Sequence, residues 1–259
     1  MRLPSNSFKN NLVQSGTMLG VWSMSGNPAA AEALGFVGYD FIVLDMEHAP
    51  TDPPRMLGSL QAVAGTSTPA VVRLPWNDAV MVKQMLDLGA QTLMFPYVQT
   101  VEEARQAVAS TRYPPAGIRG VAGMSRATRY GSVADYLHHA SEELCVIVQL
   151  ETAAALSRLD EIAGVTGIDS IFVGPNDLAA DMGHIGETNH PEVRDAIAAA
   201  AKRCRARGMP CGILASDVER AKQYLDDGFN WVATGSDLGL MMAGARKSLG
   251  ELRAAVAAT

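Results

Sequence analysis

Apolar residues cluster in eight short runs along this chain, near 18–23, 41–47, 70–74, 92–97, 145–151, 170–174, 211–215 and 231–235. Segments such as AVVRLP and CVIVQLE are apolar at nearly every position rather than at alternate ones, which marks strands buried on both faces, as in a parallel sheet. Helical periodicity separates most of them and is clearest in 77–89, 101–112, 152–164, 191–208, 216–227 and 237–257, with glycine stops at Gly89, Gly208 and Gly228. Strand and helix in eightfold alternation predict a (β/α)8 TIM barrel, and 259 residues match the roughly 250 such a barrel needs. An open doubly wound sheet would alternate in the same way, but VWSMSGNPAA lacks the glycine fingerprint that usually follows its first strand. No short-period repeat or shift in composition divides the chain, so residues 1–259 read as one domain.

Two segments stand out from this pattern. The connection from Tyr113 to Tyr136 is too long for a simple link and too rich in glycine and arginine for core, and such a loop at the active face commonly shapes a site. The last helix, 237–257, carries a methionine pair, Met241 and Met242, on an amphipathic pattern; it either closes the barrel or packs on a neighbouring subunit.

Charge and composition narrow the function. With 21 basic against 27 acidic residues and no basic tract, the chain offers no footprint for nucleic acid or an anionic membrane. No apolar run approaches the ~20 residues of a membrane helix, and the opening MRLPSNSFKNNL has no signal-peptide core. Cys145, Cys204 and Cys211 are odd in number, lie in apolar segments and lack metal-site spacing, which fits buried thiols in a reducing cytoplasm.

Chemistry concentrates where the apolar runs stop. FIVLDMEH ends on His48, AVVRLP carries Arg73, CVIVQLE ends on Glu151 and SIFVGPND ends on Asp177. Strand ends are where α/β barrels place catalytic groups. Glu151 and Asp177 on consecutive strands would share one rim, an oxygen-rich pair suited to Mg²⁺ or Mn²⁺; otherwise they are ordinary solvated or salt-bridged acids. Histidine is the side chain suited to proton transfer near neutrality, so His48 can take a proton directly or through a coordinated water, or it caps the next turn. Asp45 and Glu47 before it read as solvated or barrel-layer residues. Arg73 is a costly cation in an apolar strand unless an anion meets it, whether a developing enolate or carboxylate oxygen or one of the nearby acids. Gly174-Pro175-Asn176-Asp177 opens a possible helical turn able to hold an anion.

The five lysines, Lys9, Lys83, Lys202, Lys222 and Lys247, lie in the N-terminal segment or in predicted helices, which disfavours an imine-forming aldolase. No G-x-S-x-G elbow supports a serine hydrolase. ATGSDLG at 233–239 is either a phosphate cradle or an ordinary capped helix start.

Taken in order, DMEHAP (45–50), VVRLPWND (71–78), YPPAGIRG (113–120), VQLET (148–152) and GPNDLAADMG (174–183) resemble the HpcH/HpaI family of metal-dependent pyruvate aldolases, most closely its 4-hydroxy-2-oxoheptanedioate aldolase branch. The resemblance runs through nearly the whole chain. It implies a divalent ion, Mg²⁺ or Mn²⁺ with Co²⁺ a further candidate, held by Glu151 and Asp177, and a pyruvate chelating it, contacted by Gln149 and Asn176. It also implies that His48 accepts the proton of the 4-hydroxyl, that Arg73 stabilises the developing negative charge, and that Asp87 raises the basicity of His48. Cleavage of a 4-hydroxy-2-oxoacid would yield pyruvate and an aldehyde, and oxaloacetate would be decarboxylated through the same enolate. Trp22 would line the aldehyde pocket or belong to the core. GVAGMSRATRYG is shorter than the family's usual version of the loop expected near the aldehyde. The same resemblance extends to aldolases of 2-keto-3-deoxy sugar acids and to an acyl-coenzyme A lyase branch, and a non-catalytic oxoacid-binding barrel would share the fold. Its members are typically hexamers with the last helix exchanged between subunits.

Overall fold

The computed structural model describes residues 3–14 and 16–258; Met1, Arg2, Ser15 and Thr259 lie outside the described residues. Eight parallel strands close into a barrel in sequence order: β1 (Met18–Ser23), β2 (Phe41–Asp45), β3 (Ala70–Arg73), β4 (Thr92–Phe95), β5 (Cys145–Leu150), β6 (Ser170–Val173), β7 (Cys211–Ala215) and β8 (Trp231–Ser236). All eight coincide with the apolar runs, with five ending one or two residues earlier because the last residue of the run already turns out of the ladder at the rim. The fold is the (β/α)8 barrel that the alternation predicts.

Helices follow the strands: α2 (Pro28–Gly35), α3 (Pro53–Val63), α4 (Ala79–Asp87), α5 (Val101–Thr111), α7 (Ala153–Ser157) with α8 (Leu159–Ala163), α9 (Pro175–Asp181) with α10 (Pro191–Ala206), α11 (Val218–Asp227) and α12 (Asp237–Ala257). Side-chain caps start most of them. Thr100 and Glu103 form a reciprocal capping box on α5, and Asp52, Asp78, Asp217 and Ser236 each accept from a backbone N–H of the first turn. The predicted helix over 152–164 is broken into α7 and α8 at Arg158. α2 and α3 give weak periodic signals because one is mostly alanine and the other opens on two prolines, which are tolerated in a first helical turn.

Two apolar layers result. The larger lies between strands and helices, and the smaller fills the barrel itself with Phe41, Val71, Met94, Ile147, Phe172 and Trp231. A short helix before β1, α1 (Ser7–Val13), closes the N-terminal end. Its Phe8 meets Phe41 and Trp231 edge to face, each at 5.5 Å between ring centroids. Gly20 and Gly212 leave room for these rings, since a Cβ on either would collide with Phe41 or Trp231 respectively.

The 113–136 connection does not sit at the active face of its own chain. It follows α5, which runs back from the C-terminal rim, and leads by way of a short helix α6 (Tyr136–His139) into the start of β5, so topology assigns it to the N-terminal end. Its contacts agree. Arg126 donates to the Leu88 carbonyl at 2.7 Å, and a cavity of about 290 Å³ separates the segment from residues 3–7.

Because Phe8 is fully buried against two aromatic rings, Phe8→Ala should destabilise the chain by about 3–5 kcal/mol. Urea denaturation checks this, and an unchanged midpoint would remove α1 as the plug of the barrel.

Candidate functional site

The C-terminal ends of β2, β3, β5 and β6 converge on a polar rim above the aromatic interior. In-register pairing of β2 with β3 sets Asp45 beside Arg73. The guanidinium is almost wholly buried and grips Asp45 through two parallel bonds, Nε to Oδ1 at 2.8 Å and Nη2 to Oδ2 at 2.7 Å. Nη1 lies 2.8 Å from Oε2 of Glu47. The two bonds to Asp45 occupy two of the five N–H donors of a guanidinium, and the contact with Glu47 is an ion pair without a hydrogen bond to Oε2. Below, the Arg73 guanidinium rests over the Trp22 ring at 4.9 Å.

Glu151 stands just past the end of β5 and is buried. One of its oxygens accepts from the backbone N–H of Tyr97 at 2.8 Å, the other from the Gln149 side-chain amide. Tyr97 adopts φ 55°, a left-handed conformation that costs a non-glycine residue about 1–3 kcal/mol and is a feature of functional sites. A Cβ at Gly174 would meet the Glu151 side chain, so glycine there lets β6 approach the carboxylate. Gln149 keeps a buried carbonyl oxygen, Oε1, without a partner among the described residues.

The electrostatics point to a missing positive charge. Burial first, then the charges of Glu47 and Asp177, push the Glu151 carboxyl up to about 7 against the hydrogen bonds from Gln149 and Tyr97. Glu47 is likewise raised to about 7 by burial, with Asp45 and Asp177 adding to it and Arg73 opposing. Glu47, just past β2, and Glu151, just past β5, thus both feel the charge of Asp177 on α9. Such an arrangement, with an unpartnered amide oxygen beside it, fits a hard divalent cation held by Glu151 and Asp177.

The remaining expected residues fall in different places. Asn176 and Asp177 are exposed on the first turn of α9. His48 is half exposed just beyond β2, with Nε2 3.9 Å from Glu47. Trp22 is buried and also lines a cavity of about 240 Å³ beside the rim together with Asn176, Thr188, Ser216 and Ser236.

Asp87 is not brought to His48. It ends α4 at the N-terminal side of the barrel, where Arg119 holds it at 2.8 Å. In 233–239, Ser236 accepts from Gly239 N–H at 3.1 Å and caps α12, and the Asp237 carboxylate accepts from Met24 N–H at 2.8 Å and from Ser25 N–H at 3.0 Å.

Sequence reasoning did not single out Glu47, Tyr97 or Gly174 as parts of the site. A positive φ at a tyrosine has no sequence signature. Glu47 carried one signal, its place two residues past a strand end beside His48.

Comparison with known proteins gives the family. Residues 18–243 match the model of the HpcH/HpaI aldolase/citrate lyase family. The chain is 46% identical over 242 residues to a 5-keto-4-deoxy-D-glucarate aldolase of Salmonella arizonae, covering 93% of this chain and 94% of that one. It is 45% identical over 255 residues to a hydroxypyruvate/pyruvate aldolase of Delftia acidovorans, covering 98% and 95%. Among solved structures, a HpcH/HpaI aldolase/citrate lyase family protein from Burkholderia cenocepacia superposes with a TM-score of 0.94 at 40% identity, over 96% of this chain and 100% of that one. The chain therefore belongs to the HpcH/HpaI aldolase/citrate lyase family and is a carbon–carbon lyase.

Proposed function

We propose that this lyase is a divalent-metal-dependent pyruvate aldolase that cleaves a 4-hydroxy-2-oxoacid carrying further hydroxyl groups. The observation that carries the reading is the grouping of Glu47, Glu151 and Asp177 at the rim, with the first two carboxyls raised to about 7 chiefly by burial and further by neighbouring carboxylates. Glu151 and Asp177 hold Mg²⁺ or Mn²⁺. The ion supplies Lewis acidity toward the keto oxygen of the substrate.

The chain's own groups then divide the work. Gln149 and Asn176 orient the oxoacid. The N–H groups of Arg73 not bonded to Asp45 meet negative charge as it develops on the oxoacid oxygen, where a prepositioned donor is worth most. Asp45 and Glu47 keep the guanidinium aimed. His48 takes the proton of the 4-hydroxyl as the carbon–carbon bond breaks, and pyruvate and an aldehyde leave.

The Salmonella relative supports a hydroxylated acceptor. Retro-aldol cleavage of 5-keto-4-deoxy-D-glucarate, the substrate in the name of the Salmonella protein, gives pyruvate and a hydroxylated semialdehyde acid. The hydroxyl-bearing walls of the cavity beside Trp22, at Thr188, Ser216 and Ser236, suit such an aldehyde better than the methylene chain of succinic semialdehyde. The heptanedioate substrate put first by the sequence resemblance is the second reading.

Assembly into a hexamer through α12 belongs to the same proposal. That helix has no buried residue and exposes Leu240, Met241, Leu249, Leu252 and Val256, an apolar surface suited to exchange with a second copy. The role of Asp87 toward His48 also needs a second copy, since one chain holds the two at opposite ends of the barrel.

Exchange of pyruvate methyl protons with solvent, followed by NMR, should require Mg²⁺ or Mn²⁺ and stop on chelation; exchange that persists without metal would reject the site. Removing Arg73 outright would strand Asp45 and Glu47, at about 3–5 kcal/mol for a broken buried pair. Arg73→Lys is the gentler probe and should lower cleavage by about 10²–10³ with an unchanged circular dichroism spectrum; wild-type turnover would end the role given to the guanidinium. In an aldehyde panel, kcat/KM for hydroxylated semialdehydes should exceed that for succinic semialdehyde, and the reverse order would restore the heptanedioate reading.

A further inference from the structure

Away from the carboxylate rim, the loop between α9 and α10 gathers two histidines and a glutamate. The His184 and His190 rings stack with centroids 3.5 Å apart and planes 15° from parallel. Nε2 of His184 lies 3.1 Å from Oε2 of Glu192. Each of the three residues presents a ligand atom, and these atoms all lie within 4.8 Å of one another. Among the described residues this is the one grouping of three or more His, Cys, Asp or Glu side chains so tightly drawn together.

We infer that His184, His190 and Glu192 form a second metal site, selective for a borderline transition ion such as Zn²⁺ or Cu²⁺ rather than for Mg²⁺. Two imidazoles and one carboxylate are the donor set that such ions favour, whereas Mg²⁺ prefers oxygen donors and water. Stacking explains why the rings lie together. It leaves unexplained the buried Nδ1 of His190, which has no partner among the described residues. Glu192, on the first turn of α10, is exposed and sets its carboxylate on the open side of the pair.

The loop is built to keep the donors close. Gly183 and Gly186 take φ of 85° and 80°, turning the chain tightly on either side of His184. The His184 backbone N–H donates to Ala179 at 2.7 Å, and its carbonyl accepts from Glu187 at 2.8 Å. His190 N–H donates in turn to Glu187 at 2.8 Å. Bonds of about 2.1 Å place the ligands of a tetrahedral ion about 3.4 Å apart, so small side-chain rotations close the set. Three protein donors leave one position for water. Thr188 lies between the two histidines in sequence and lines the cavity beside Trp22, so an ion here would clamp one wall of that cavity.

The test uses the full chain in excess Mg²⁺, which keeps the carboxylate rim loaded. Zn²⁺ affinity is measured by competition with a chromophoric chelator, and electron paramagnetic resonance of substoichiometric Cu²⁺ reports coordinated imidazole through nitrogen hyperfine splitting. Wild type and Glu151→Gln should bind Zn²⁺ alike. His184→Ala and His190→Ala should each weaken binding by about 100-fold or more and lose the nitrogen splitting. His184 is partly exposed, so that variant should fold and keep its Mg²⁺-dependent exchange of pyruvate protons. Wild-type affinity in both histidine variants, absence of Zn²⁺ binding in the wild type, or loss of binding in Glu151→Gln would each overturn the site.

Discussion

The rim of this barrel depends on one buried guanidinium. Arg73 is the strand-borne cation that meets Asp45 and Glu47, donating two hydrogen bonds to Asp45 at 2.7–2.8 Å and pairing with Glu47 at 2.8 Å. Taking such charges out of water is expensive, and only near-ideal geometry recovers the cost. The in-register pairing of Asp45 with Arg73 provides it, because neighbouring strands of a closed barrel cannot slip without moving every other pair. A reactive rim can therefore be rigid although its residues lie on separate strand ends.

The same burial creates a charge deficit. Asp45, Glu47, Glu151 and Asp177 bring four carboxyl groups to a region where Arg73 is the guanidinium that balances them. Beneath them lie Trp22 and Phe172, tilted against one another at 5.7 Å, and little water reaches the inner carboxylates. Desolvation is accordingly the largest cause of the upward shift at both Glu47 and Glu151. A purely structural network would be expected to balance its charges internally. This one balances only Asp45 well and leaves the carboxyls nearest the rim in need of a further cation, as a metal-binding centre would.

Most of the strands were legible in the sequence because burial on both faces removes any need for alternation. The strand-end positions of Glu151 and Arg73 were legible for the same reason, since a charged residue inside an apolar run needs a partner. Long-range partnership was not. Nothing local ties Asp45 to a guanidinium 28 residues away, or shows that Tyr97 turns its N–H toward Glu151 by adopting φ 55°. α2 was hidden by its alanines and α3 by its two prolines. The stacked histidines were hidden by separation along a loop with no regular period.

Topological parity accounts for the largest displacement between expectation and structure. In a (β/α)8 barrel each strand-to-helix connection lies at the catalytic rim and each helix-to-strand connection at the other end. The 113–136 segment follows a helix and precedes a strand, so its glycines and arginines belong to the N-terminal end whatever their composition suggests. Asp87, the last residue of α4, obeys the same rule. A contribution from either to the site around His48 is compatible with this fold only if the N-terminal end of one barrel meets the catalytic rim of another. The apolar length of α12, unburied within its own chain, would then serve to hold two such barrels in register rather than to complete either one.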